Sequence, residues 1–321
     1  MEPSAKRPAA RPGRYAAIDI GTVTCRMLVA DVDGAGRLHE LDREYAITNL
    51  GEDVDATGVL KPAAMRRVLD AVARYQDVLA GFEEPGRPIE VTAIATSAAR
   101  DAGNAEEFER LLAEQGVRLA VIPGQREAAL SFSGASCDFA GERLLVVDIG
   151  GGSTEVVAGC AGGEPARSHS FNIGCRRVTE KFLASDPPAD AELEAARAWT
   201  EEGMRPFFDE LRASGFAIER LVAVAGTATT VVSIRERMRV YDTARVHKAL
   251  VTRPELDAVH DELRRAPLAE RERIVGLDPG RAPVIVAGMV ILRTVLDLAG
   301  VDSFTVSESD ILHGIILDAA R

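Results

Sequence analysis

Chemistry in this chain gathers at two glycine turns. Asp19-Ile20-Gly21-Thr22 and Asp148-Ile149-Gly150-Gly151-Gly152-Ser153 each follow an apolar run and precede another. A strand ending in Asp-Ile-Gly leaves backbone N–H groups unpaired and aimed one way, and with no bulky side chains beside them such a nest cradles a phosphate. Thr22 and Ser153 add hydroxyl donors, while Asp148 and Glu155 offer hard oxygen ligands of the kind Mg²⁺ takes. One such turn alone reads more readily as a flexible hairpin; two copies, each led by an aspartate, point to phosphate. No G-x-x-x-x-G-K-[ST] loop is present, and each turn opens a strand rather than a helix, which excludes a dinucleotide fingerprint. A third turn, at Gly226-Thr227, either closes the far side of a phosphate cleft or caps the helix that follows.

The elements that must hold these turns alternate. Around the first turn the sequence predicts two strands, with a third over 37–45, a helix over 61–79, and a strand at IEVTAIAT. Asn104, with Glu107 three residues on, reads as a capping box for the next helix; VRLAVI is a strand, and QREAALSFSGA a helix. The scheme restarts at RLLVVDIGGGSTEVVAG, so Asp19 and Asp148 occupy equivalent places in two copies of one core. A long acidic helix over 191–214, the strand LVAVAG, a buried helix near 282–299, the strand SFTVS and a closing helix from about 310 complete the pattern. The class is α/β, in two similar halves.

Composition narrows the functions. Lys plus Arg number 38 and Asp plus Glu 50, a formal charge of −12, which argues against a nucleic-acid coat. Any polyanionic substrate must therefore meet local cations. The four cysteines, Cys25, Cys137, Cys160 and Cys175, stand far apart without a C-x-x-C pair, as expected of reduced thiols and not of a zinc site. The first 13 residues read as a disordered basic tail, and the apolar stretch 282–300 is broken by Arg293 and Asp297, so no membrane span is expected and the cytoplasm is the expected compartment.

The segments AAIDIGT, ATSAARDAGN, PGQREAALSFSGA, VVDIGGGSTEV, FNIGCRRVTEKF, VAGTATT, GRAPVIVAGMVIL and VSESDILHG occur in the order, and nearly over the span, of one family. On these the chain resembles the exopolyphosphatase and guanosine-pentaphosphate phosphatase (Ppx/GppA) family of the actin-like ATPase superfamily. The resemblance implies two actin-like, ribonuclease H-like domains facing across an active-site cleft, here 14–125 plus 303–321 and 126–302. It implies hydrolysis of a terminal phosphoanhydride by an activated water, assisted by Mg²⁺ or Mn²⁺, and a possible homodimer.

Carried over by position, Glu127 matches the catalytic carboxylate, and Asp148 and Glu155 the metal-linked ones, with Asp19 beside them. Gly21, Thr22, Gly150, Gly151, Gly152, Ser153, Gly226 and Thr227 fall on phosphate loops, and Arg26 and Arg100 on basic positions. Arg176, Arg177, Lys181 and Arg281 are expected to extend a basic track. Glu127 lies in the first turn of its helix, where the dipole favours the ionised carboxylate, so it is expected to act as a base near neutral pH. The sequence departs from the family at Val23-Thr24, where Asn-Ser is usual, at Arg126, where an acidic residue is common, and at His313. Because longer members carry added C-terminal helical domains, a preference for shorter polyphosphates is expected. The leading expectation is an exopolyphosphatase; the alternatives are a guanosine pentaphosphate 5′-phosphohydrolase using the same site, and a non-hydrolytic actin-like nucleotide-binding module.

Overall fold

The structure, a computed structural model, describes residues 10–321. Residues 1–9 of the expected basic tail lie outside the described residues; its end does not, for Arg11 donates its backbone N–H to Ala320, and Gly13 opens the first strand.

Strands β1 (Gly13–Ile20), β2 (Thr24–Val32) and β3 (Leu38–Ile47) form an antiparallel meander. Helices α1 (Val54–Thr57) and α2 (Pro62–Ala80) lead to β4 (Ile89–Ala95), parallel to β1; α3 (Ser97–Asp101) and α4 (Ala105–Glu114) lead to β5 (Leu119–Val121). Helix α5 (Gly124–Ser136) crosses to a second meander of β6 (Arg143–Ile149), β7 (Thr154–Cys160) and β8 (Pro165–Phe171). Helices α6 (Cys175–Phe182) and α7 (Asp190–Ala213) precede β9 (Arg220–Val224), which runs parallel to β6. Then come α8 (Ala225–Arg235), α9 (Thr243–Val246), β10 (Leu250–Thr252), α10 (Arg253–Arg265) and α11 (Leu268–Arg271). A short 3₁₀ turn at Pro279–Arg281, α12 (Ile285–Ala299), β11 (Ser303–Val306) and α13 (Ile311–Ala319) end the chain.

The sheet orders are β3-β2-β1-β4-β5 and β8-β7-β6-β9-β11-β10, the same meander followed by parallel strands in each. This repeated topology is the actin-like, ribonuclease H-like fold. It follows from strands buried on both faces, whose side chains alternate between two cores. In β1, Ile18 and Ile20 pack with Met65, Val68 and Phe108, while Tyr15 and Ala17 face Leu312 and Ile315. In β6, Val147 and Ile149 join one core, and Leu144 and Val146 meet Phe132 in another. Helix α5 serves both halves, giving Leu130 to the first-sheet core and Phe132 to the second.

Two expectations need correction. Ser303–Val306 was expected with the first half, but Phe304 and Val306 are buried in the larger second core and the strand pairs with β9 and β10. Phe304 and Val306 share one face of the strand, and the core that face can join lies in the second half; only α13 returns to the first sheet. Asn104 does not cap α4 through its side chain. Its amide instead bonds the Leu60 backbone at both N–H and C=O (2.7 and 3.0 Å), a fixed tether that outcompetes a cap exposed to water.

Candidate active site

Both glycine turns sit at the carboxyl ends of the equivalent strands β1 and β6, and they are built alike. Gly21 N–H donates to Thr24 C=O at 2.8 Å, and Gly150 N–H to Ser153 C=O at 3.0 Å. Sheet register then sets what stands opposite each aspartate: Arg26 opposite Asp19 and Glu155 opposite Asp148. The cleft between the turns is lined by Asp19, Thr22, Arg26, Glu127, Asp148 and Glu155, with Gly150–Ser153 forming one wall. The third turn brings Gly226 and Thr227 into the cleft lining; they lie in the first turn of α8, whose N-cap is Val224, so they do not cap that helix.

Close approach explains the glycines. A Cβ on Gly152 would lie 2.4 Å from Ser97 Oγ, and one on Gly151 would lie 2.7 Å from Val23, because the two turns touch at this rim. A Cβ on Gly226 would overlap the Arg281 guanidinium at 1.2 Å. Arg281 thus lies inside the cleft rather than on an outer track, and burial, followed by repulsion from Arg26, lowers its pKa. The rest of the expected track is neutralised: Arg176 pairs with Glu180 at 3.2 Å, and Arg177 with Asp55 and Asp101 at 2.6 and 2.7 Å. Lys181 stacks 5.6 Å from the Trp199 ring centre.

Each cleft carboxylate has its own partner. Arg26 donates to Asp19 at 2.6 Å and to Asp310. Ser131, one turn beyond Glu127 on the same face of α5, donates to Asp148 at 2.7 Å. Ser170 on β8 donates to Glu155 at 2.6 Å. Arg100 donates to Glu127 Oε2 at 3.1 Å and to Ile122 C=O at 3.0 Å. Arg100 was expected to reach phosphate; its hydrogen bonds instead fix Glu127.

Burial governs the protonation of this group. Glu127 is pushed up to about 7 by burial, with Arg100 opposing and Asp19 and Asp148 reinforcing. The helix dipole does not keep it ionised as expected, because desolvating a carboxylate outweighs the partial charge of one helix end. Asp148 is pushed up to about 6, again by burial first, against the pull of Arg26 and Ser131. Glu155 rises well above the ordinary range through burial and then the charges of Glu127 and Asp148. Asp19 rises too, though Arg26 counters its burial. Asp310 goes the other way: burial raises it, but Arg26 and Arg43 together prevail and hold it below the ordinary range.

Asp310, Ser131 and Ser170 escaped the sequence reading. Asp310 carries a visible cap signal, and its carboxylate accepts from Leu312 N–H at 3.0 Å, but its partner Arg26 is 284 residues away. The two serines sit on a helix and a strand with no motif around them. Of the departures, Arg126 points away and pairs with Asp318, and His313 is buried near Glu40 at 3.9 Å, outside the cleft lining. Thr24 lines the cleft beside Val23.

Among the described residues, no three His, Cys, Asp or Glu side chains form a cage for a metal ion. The donors present still fit Mg²⁺, which keeps several waters and binds through one or two carboxylates plus substrate phosphates. Asp148 and Glu155 stand opposite one another with raised pKa values, and buried Asp19 Oδ1 has no hydrogen-bond partner.

Fold and site together define a phosphatase of the actin-like fold. The Ppx/GppA phosphatase family model matches residues 28–321. Exopolyphosphatase 2 of Mycobacterium tuberculosis is 40% identical over 96% of this chain and 98% of its own length. A crystal structure of an exopolyphosphatase-like protein superposes with TM-score 0.87 at 36% identity, covering 97% of this chain and 98% of that one. An exopolyphosphatase from Cytophaga hutchinsonii does so with TM-score 0.85 at 26% identity, covering 96% and 99%. The chain belongs to the Ppx/GppA phosphatase family and is a phosphatase. Among the described residues no helix is long and apolar enough to cross a membrane.

Proposed function

We propose that this phosphatase is an exopolyphosphatase, releasing orthophosphate from the end of inorganic polyphosphate. The observation that carries the reading is the cleft itself: buried Glu127 shares one lining with both glycine turns, Arg26 and Arg281. The 40% identity to a relative named exopolyphosphatase agrees with it.

In this reading the backbone N–H groups of Thr22 and Gly151–Ser153, in turns that Gly21 and Gly150 close with their own N–H groups, bind the terminal phosphate together with Gly226 and Thr227. Arg281 meets phosphate oxygens with its guanidinium, and Arg26 meets them with the N–H groups that its two aspartates leave over. Glu127 takes the proton of the attacking water. Arg100 holds Oε2, which leaves Oε1 turned to that water. A pKa near 7 suits the task, since a general base works best when its pKa lies near the working pH.

Asp148 and Glu155, with Asp19 beside them, would hold Mg²⁺ or Mn²⁺. Such a cation, when bound, neutralises charge developing on the phosphoryl oxygens. Ser131 and Ser170 keep the two carboxylates oriented for it. The need is electrostatic: as Asp148 and then Glu127 lose their protons above about pH 6 to 7, negative charge builds up beside the anionic substrate in the cleft lining, and a cation offsets it.

The purified chain, given polyphosphate and guanosine pentaphosphate separately with Mg²⁺, should release phosphate faster from polyphosphate. Equal or faster release from the nucleotide would overturn the substrate assignment. Glu127→Gln should lower kcat by about 10²–10⁴ with little change in KM, the usual contribution of a general base. Full activity in that variant would remove Glu127 from the role.

A further inference from the structure

Helix α6, within the FNIGCRRVTEKF segment, bonds to both halves beside the cleft, and the chemistry above gives it no role. Its first turn is bonded to the second glycine turn: Cys175 N–H donates to Gly150 C=O at 2.9 Å and Arg176 N–H to Gly151 C=O at 2.9 Å. Gly174 lets it come this close, since a Cβ there would lie 2.3 Å from Gly151 O. The Arg177 side chain continues the contact, with Nε donating to Gly152 C=O at 2.9 Å.

The same helix grips the first half of the molecule. Arg177 reaches Asp55 on α1 and Asp101 at the end of α3, at 2.6 and 2.7 Å. Arg176 donates to Asn49, and Asp53 N–H donates to Glu180 at 3.4 Å. The segment so held supports the first glycine turn, because Asn49 N–H donates to Val23 C=O and Gly51 N–H to Thr22 C=O, both at 2.9 Å. One guanidinium therefore links a carbonyl of the second turn to two carboxylates of the opposite half. Asp55, Asp101, Arg176, Arg177 and Glu180 line a small second cavity, which shares Thr22, Gly151 and Gly152 with the main cleft.

We infer that α6 couples closure of the cleft to the geometry of the Gly150–Ser153 turn, with Arg177 as the positioning residue. Opening the cleft at this rim means parting Arg177 from Asp55 and Asp101, and that pull is transmitted to Gly152 through Nε. Conversely, a phosphate that seats the turn correctly aligns Arg177 for both carboxylates. The ion pairs are about one-fifth to one-third exposed (19%, 30% and 31% for Arg177, Asp55 and Asp101), so salt weakens them and the latch can release. The kinetic consequence rests on the phosphatase reading of the main cleft; the structural coupling does not.

The test uses the full chain with Asp55→Asn and Asp101→Asn combined, both outside the cleft lining. Losing two partly exposed pairs should raise KM for polyphosphate about fivefold to tenfold with kcat within about twofold. The rise of KM with added salt should be less steep than in the unaltered protein, because the screened pairs are gone. Amide hydrogen exchange over 150–154 and 174–182 should quicken in the double variant without added substrate. Arg177→Ala, which also frees Gly152, should in addition lower kcat, and Arg177→Lys should recover KM but not kcat. A double variant with unchanged KM, salt response and exchange would overturn the coupling. Failure of the unaltered protein to cleave polyphosphate would overturn the substrate assignment alone, with the exchange experiment still deciding the latch.

Discussion

The two glycine turns are the same structure carrying opposite charge patterns. Each closes with the same backbone bond, and each follows a buried aspartate at the end of a central strand. Seven residues beyond that aspartate, directly across the antiparallel pair, the first half has Arg26 and the second has Glu155. Register makes these positions equivalent, so the difference lies in one side chain. In the first half an ion pair neutralises Asp19 and, through Asp310, ties the turn to α13. In the second, two carboxylates face each other, held by the hydroxyls of Ser131 and Ser170 and with no guanidinium among the described residues bonded to either. Opposed like charges are unfavourable, and burial amplifies the cost. The first half is electrostatically complete as folded, whereas the second calls for a cation or a proton. Duplication of a scaffold gave the symmetry, and one position divides the labour.

The largest expected effect breaks the complete half. Arg26→Met leaves Asp19 and Asp310 buried without their partner and should cost about 3–5 kcal/mol of stability, read by urea denaturation. A loss under about 1 kcal/mol would mean the pair is not the structural tie inferred here.

The incomplete half shows itself in pH dependence without divalent cation. Glu127 and Asp148 hold protons more tightly in the folded chain than in the unfolded one, with pKa values near 7 and 6 against ordinary 4.5 and 3.8. Their contribution to folding is complete below about pH 4 and is lost as pH rises through 6 to 7. Stability should therefore fall by on the order of 3 kcal/mol per group between pH 4 and 8, less whatever neighbouring carboxylates compensate. Chelator-treated protein melted across that range tests the sign; a rise over pH 5–7 would contradict the burial argument.

Cation binding should reverse that loss. At pH 8, Mg²⁺ at about a hundredfold over its Kd should stabilise the protein by roughly 2.7 kcal/mol, visible as a higher Tm that a chelator removes. The smallest effect sharpens the comparison most. Glu155→Gln relieves the opposed charges and should stabilise the cation-free protein at pH 8 by about 1 kcal/mol, while abolishing the Mg²⁺ shift and phosphate release together. The equivalent position would then stabilise when altered in one half and destabilise in the other.

Much of this was legible in the sequence. The duplicated strand–turn–strand signal with Asp19 and Asp148 fixed the α/β class, and β1, β2, β6, β7 and the main helices fell where periodicity put them. Local chemistry sufficed there, because a strand–turn–strand unit is specified by neighbours in the chain. The misses were all non-local. β11 went to the second sheet because Phe304 and Val306 found their core there, and Asn104 left its helix to bind Leu60. Arg100 was legible as a cation near the cleft, but not as the partner of Glu127 across 27 residues.

By itself the sequence determined which residues carry charge and which turns leave N–H groups unpaired, since residue type and local backbone preference decide both. It could not determine protonation or pairing. Whether a carboxylate is a structural anion like Asp310 or a poised group like Glu127 depends on how much water packing removes and which charge packing brings near. Those are properties of the space between elements, and only the folded chain has it.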